Sequence, residues 1–213
     1  NEADGRLVVT LTAETDSYGQ LSRVLVEAGH EVWVMISKAA HMVIATETDV
    51  SLPAQPQRLV EALTEKSGAQ PGQIRCFGRE DWMAPVASGS GSPSAMVVVP
   101  CSTGTLSAIA TGACNNLIER AADVTLKERR QLILVPREAP FSSIHLENML
   151  KLSQMGATIM PASPGFYHQP QQISDLIDFV GIGKEYSLRE IFNLGQQGLW
   201  FLLYDTRFGD CKP

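Results

Sequence analysis

The stretch AMVVVPCSTGTLSAIATGAC, residues 95–114, decides the fold. It opens on an apolar, valine-rich run that reads as a strand buried on both faces and closes at Pro100. Cys101, Ser102, Thr103, Gly104 and Thr105 follow, and a helical pattern then continues through LSAIATGACNNLIERAADV. Small hydroxyls at such a turn accept hydrogen bonds from the free N–H groups of a first helical turn. The same N–H groups and hydroxyls also suit a phosphate at the positive end of the helix dipole. Only the rest of the chain chooses between a plain cap and an anion site.

On either side the same alternation recurs. RLVVTL, EVWVMIS, QIRCFG, AMVVVP, QLILVP and ATIMPA read as six strands. Between and after them, YGQLSRVLVEAG, SKAAHMVIATET, one long helix over 105–128, SSIHLENMLKLSQMG and QISDLIDFV read as helices. Ser142 or Ser143 caps the helix that Gly156 stops. Strands apolar on both faces and alternating with helices predict a doubly wound, three-layer α/β fold with a parallel sheet, flavodoxin-like or Rossmann-like, in a single domain. The segment 65–95, rich in Gly, Pro and Ser, reads as an excursion carrying the short strand QIRCFG and then a flexible loop.

Composition narrows the function. A net charge of −6 with no clustered Lys and Arg beyond the mixed run LKERR argues against a nucleic-acid surface. No apolar stretch reaches the roughly 18–20 residues that span a bilayer, and NEADGRLVV lacks the regions of a signal peptide, so a cytoplasmic protein is expected. The four cysteines and four histidines are too scattered for a metal centre and predict reduced thiols.

In an open parallel sheet, ligands gather outside the carboxyl ends of the strands. Here those ends lead into TAETDS, Ser37–Lys38, PCSTGT, PREAPFSS and PASPGFYHQP. Pro100, Pro136 and Pro161 each stand where a proline ends a strand without removing a ladder N–H. The edge thus collects hydroxyls, a glycine turn, Arg137 beside Glu138, and Tyr167 beside His168. Arginine among hydroxyls and a helix N-terminus suits phosphate, because its planar fork donates two parallel hydrogen bonds. The ligand class is a nucleotide or flavin mononucleotide (FMN); no G-x-G-x-x-G pattern follows the first strand.

SKAAHMVIATETDVSLP, the run from VVVPCSTGT through LKERRQLILVPREAPFSSIHLENMLKL, and MPASPGFYHQPQQISDLIDFV resemble the UbiX-type flavin prenyltransferases of the flavodoxin-like flavoprotein superfamily. The likeness covers residues 31–180, leaving 1–180 as a flavoprotein domain and 181–213 as a divergent tail. It implies that Ser102, Thr103, Gly104 and Thr105 cradle FMN, with Ser37 and Arg137 also on the cofactor. It implies transfer of a dimethylallyl group from dimethylallyl phosphate to flavin N5, closure of a fourth ring onto C6, and no metal. The prenylated FMN then serves a UbiD-type decarboxylase in ubiquinone synthesis or on aromatic acids.

By the same resemblance Arg120, Lys127, Arg137, Glu138 and Tyr167 line a phosphate pocket, some from a neighbouring subunit of a large homo-oligomer, a dodecamer. Glu138 is the acid or base, Glu47 an active-site carboxylate, and Trp82 an aromatic near the prenyl group, where an indole face stabilises an allylic cation. Read from the residues alone, Glu138 equally suits a salt bridge to Arg137 or Lys127, Glu47 a solvated helix end, and Trp82 a core anchor.

Two departures stand out. The family's first loop reads like T-G-A-S-G-A, whereas Leu11–Asp16 reads LTAETD, with neither glycine and with two added carboxylates. After Val180, GIGKEYS puts Lys184 one place beyond the family's basic residue, and the tail containing LWFLLY is too apolar to leave exposed. A flavin-dependent decarboxylase of cysteine-derived thiols is the alternative from the same fold, against which PREAP and GFYHQP speak. A non-catalytic relative that holds flavin weakly is the third reading, resting on the altered loop and tail.

Overall fold

The computed structural model describes residues 6–11, 22, 25–47, 52–163, 166, 169 and 171; for 6–11 and Glu47 it describes the backbone alone. Among the described residues six strands form one sheet: β1 (Arg6–Leu11), β2 (Glu31–Ile36), β3 (Ile74–Cys76), β4 (Ala95–Cys101), β5 (Gln131–Pro136) and β6 (Thr158–Ile159). All pair in parallel, in the order β3-β2-β1-β4-β5-β6. This is the doubly wound order, with its topological switch between β1 and β4.

Successive side chains of a strand point to opposite faces, and each face here has its own core. Val32, Val34, Ile36, Val97, Ile133 and Val135 turn to one side, where α1 (Lys38–Glu47) adds Ala40 and Ile44, and α2 (Pro56–Ser67) adds Leu59 and Leu63. Trp33, Met35, Met96, Val98, Leu132 and Leu134 turn to the other. That side is covered by α3 (Thr103–Thr111), α4 (Leu117–Lys127), α5 (Ser143–Gln154) and a short 3-10 turn, Pro85–Ala87. Full burial of each such valine or leucine contributes about 1.5–3 kcal/mol. The described cysteines Cys76, Cys101 and Cys114 are free thiols, and burial pushes the Cys76 and Cys101 thiols up to about 12. Among the described residues no helix is long and apolar enough to cross a membrane.

Several expectations change. The single helix over 105–128 is two helices: Gly112, at φ 71°, closes α3, and Asn116 opens α4 by accepting the Glu119 N–H. No helix is expected over 56–67, yet α2 forms there, with Pro56 in its first turn and Gly68 at φ 70° ending it. Pro100 does not end β4. The pairing passes from Val98 opposite Leu134 to Cys101 opposite Pro136, so a bulge accommodates the proline inside the strand. Ser142 rather than Ser143 caps α5, in a reciprocal box with His145. Of the helix expected over 18–29, Ser22 and 25–27 are described and helical; the helix expected from 172 lies outside the described residues.

The loop expected to be flexible is pinned. The Arg79 carbonyl accepts from Leu117 N–H at 2.8 Å, the Ala87 carbonyl from Arg120 Nε at 3.1 Å, and the Ser92 carbonyl from Arg130 Nη1. Gly91 folds so tightly onto Pro85 that a Cβ there would stand 2.7 Å from the Pro85 carbonyl oxygen. Gly91→Ala is expected to lower stability by about 1–3 kcal/mol, as overpacking does. Urea unfolding that finds wild-type stability would show that the turn yields freely.

Candidate functional site

The carboxyl edge of the sheet gathers several of the expected side chains. Ser37 follows β2 and caps α1, its Oγ accepting the Ala40 N–H at 3.0 Å. Ser102 follows β4, beside the switch point, in extended backbone (φ −65°, ψ 151°). Its Oγ accepts the Thr105 N–H at 3.2 Å while its hydroxyl donates to Thr105 Oγ1 at 3.0 Å. The plain cap is therefore present.

An anion site is compatible with that cap. The first N–H groups of a helix have no intrahelical acceptor, and here those of Thr103 and Gly104 open α3 toward the edge. The space beside Gly104 is clear, with Ser102 Oγ, at 3.9 Å, the nearest atom to a Cβ built there. Ser102 and Gly104 are exposed, so a phosphate reaches them without displacing the core. The turn thus fits the phosphate end of an FMN.

On the next strand, Arg137 and Glu138 follow β5 and are exposed, and Glu138 Oε1 accepts the Ala139 N–H at 3.2 Å. Trp82 is no core anchor; it is 45% exposed, on the pinned loop after β3. Arg120 lies in the first turns of α4, holding Ala87 through Nε and Asp123 through Nη1 at 2.9 Å. Glu47 ends α1, and Tyr167 and Lys184, like the altered loop over 12–16, lie outside the described residues.

Lys127 stands apart. It ends α4 just ahead of β5, whereas Arg137 and Glu138 follow β5's far end, a six-residue strand away. At about 3.3 Å per residue the strand alone separates them by ~20 Å. Lys127 instead pairs with Glu128, whose carboxyl is held below its usual range by the Lys127 hydrogen bond and charge, and by Arg130. It lines a cavity of about 580 Å³ at the opposite edge, with Arg129, Arg130 and Gly156. A salt bridge between Lys127 and Glu138 within one chain is thereby excluded. Ser37, Ser102, Arg137 and Glu138 share the carboxyl edge of the sheet, and Lys127 lies at the other edge of the same protomer.

Sequence reading missed Arg130, whose bond to Ser92 spans the excursion, and Met83, which stands 92% exposed beside Trp82. Neither carries a local motif.

The doubly wound sheet carries an exposed, capped helix start beside its switch point, and the model of the Flavoprotein family matches residues 3–193. The flavin prenyltransferase UbiX of Pseudomonas aeruginosa is 67% identical over 177 residues, spanning 82% of this chain and 85% of that relative. The structure of AnUbiX (PadA1) in complex with FMN and dimethylallyl pyrophosphate superposes with a TM-score of 0.70 at 42% identity, covering 81% of this chain and 86% of that one. A dodecameric FMN-dependent UbiX-like decarboxylase from Escherichia coli O157:H7 gives a TM-score of 0.69 at 36% identity, over 81% and 88% of the two chains. The chain belongs to the Flavoprotein family and, within it, to the UbiX flavin prenyltransferases.

Proposed function

We propose that this chain transfers a dimethylallyl group from dimethylallyl phosphate to FMN, and that the prenylated product becomes the cofactor of a UbiD-type decarboxylase. The observation that carries the reading is the PCSTGT turn, open at the α3 N-terminus, one strand away from Arg137 and Glu138. When bound and reduced, FMN supplies the nucleophilic ring nitrogen.

The chain's own residues do the rest. The Thr103 and Gly104 N–H groups and the hydroxyls of Ser102 and Thr105 hold the flavin's phosphate. Breaking the allylic C–O bond sends its electron pair to the leaving phosphate, and charge there is stabilised by donors fixed in advance. Arg137 supplies a bidentate fork for it, and Tyr167 and Arg120 complete the phosphate pocket. Glu138 carries the proton that the phosphate takes up or that the flavin nitrogen gives off. Ser37 orients the flavin, and Glu47 and Trp82 border the prenyl group.

Lys127 joins this pocket from a neighbouring copy, since its own edge lies a strand length away. The working protein is accordingly a homo-oligomer, with the dodecamer its expected size and the cytoplasm its expected compartment.

The test is anaerobic incubation of the protein with reduced FMN and either dimethylallyl phosphate or the pyrophosphate, read by absorbance and flavin mass. A flavin heavier by one five-carbon unit, formed from the monophosphate, is the expected result. Bound flavin without product would refute the transferase reading, and a protein that takes up no FMN would refute the cofactor site.

A further inference from the structure

Arg120 is held by two acceptors from different parts of the chain. Its Nε donates to the Ala87 carbonyl at 3.1 Å, and its Nη1 donates to Asp123 Oδ2 at 2.9 Å. Asp123 stands three residues further along α4, where a side chain faces the same side of the helix. Among the described residues Nη2 has no partner, so its two N–H groups stay open to a ligand.

As a source of stability the pair is weak. The Arg120 and Asp123 side chains are 36% and 38% exposed, where water screens an ion pair. What the pair fixes is direction. A free arginine samples many rotamers, whereas this planar guanidinium is bonded at two of its three nitrogens.

The Ala87 bond adds a second constraint. Ala87 closes the turn after Trp82, with Ala84 N–H donating to the Asp81 carbonyl and Ala87 N–H to that of Ala84, both at 3.0 Å. In the reaction proposed above, Arg120 meets the phosphate and Trp82 borders the prenyl group. The bonds from Asp123 through Arg120 to Ala87 therefore space the groups that receive the two ends of one substrate. Spacing set in advance lets a bound substrate reach its reactive geometry with less ordering left to do.

We propose that Asp123 is a positioning residue for the prenyl donor: it aims the Arg120 guanidinium at the phosphate without touching the substrate itself. The inference deepens the transferase reading and rests on Arg120 meeting the phosphate.

The test is a double-mutant cycle on the FMN-loaded protein. Affinity for dimethylallyl phosphate is measured by calorimetry for wild type, Asp123→Ala, Asp123→Asn, Arg120→Ala and the two alanine substitutions together. Asp123→Ala is expected to weaken binding about tenfold, as coupled neighbours do. Asp123→Asn keeps an acceptor for Nη1 and is expected to recover most of that loss. In the Arg120→Ala background, Asp123→Ala is expected to change affinity by no more than about twofold. FMN content and circular dichroism should stay at wild-type level throughout.

An equal loss in both backgrounds would overturn the proposal, because Asp123 would then act other than through Arg120. Wild-type affinity in Asp123→Ala would overturn it too, and tighter binding would make Asp123 a competitor that the phosphate displaces. Loss of FMN from both Asp123 variants would make the pair structural. Prenyl transfer is read separately on the same samples after reduction. A wild type that binds dimethylallyl phosphate through Arg120 yet yields no heavier flavin fails the transferase reading alone, and one with no affinity for it removes both.

Discussion

Glu138→Gln is expected to retain FMN and to lose prenyl transfer by about a hundred- to ten-thousand-fold, the range of a removed general acid or base. The amide keeps the shape and the acceptor oxygen that now takes the Ala139 N–H, but it holds no exchangeable acid proton. Because Glu138 is exposed and outside the core, the fold should survive unchanged. Kinetics under saturating dimethylallyl phosphate check this. A variant within a few-fold of wild-type turnover would remove Glu138 from the mechanism, and one that loses FMN as well would make it a cofactor ligand.

Lys127→Ala should be nearly as inactive, yet mixing it with Glu138→Gln should restore activity. Within one chain β5 separates the two residues. In the proposed pocket Lys127 comes from one copy and Glu138 from another. A hybrid assembly contains some pockets in which both are intact, whereas assemblies of either variant alone contain none. Subunit exchange followed by the flavin mass measurement should give product far above the sum of the separate variants. A mixture no better than that sum would remove Lys127 from the pocket.

Much of this was readable from the sequence because the signals were local. The runs over 95–100 and 132–136 are apolar at every position, which only a sheet covered on both sides requires, and the hydroxyl and glycine cluster after the first marks a helix start. The break between α3 and α4 was masked by apolar spacing that continues from Ile109 to Leu117, although Gly112 and Asn116 announce it in retrospect. α2 escaped notice because few of its residues are apolar and only Leu59 and Leu63 among them are buried. The pinned loop had no local signature at all: its bonds join Ala87 to Arg120 and Ser92 to Arg130, partners 33 and 38 residues apart. The same limit applied to the site. The resemblance puts Lys127 and Arg137 in one phosphate pocket with some members from a neighbouring subunit, but only the topology shows that these two sit at opposite ends of β5.

The margins of the sheet have a consequence for how copies meet. Among the described residues it ends in a three-residue strand, β3, on one side and a two-residue strand, β6, on the other. At β3, Arg75 lies 5.0 Å from the Trp33 ring centre and 5.3 Å from that of Phe77, with Glu31 at 3.9 Å, so a charged side chain guards the border. So little free backbone gives a neighbouring strand almost nothing to extend. Copies of this chain are thereby steered away from lengthening each other's sheets and toward contacts between side-chain surfaces, where symmetry closes an assembly at a finite size.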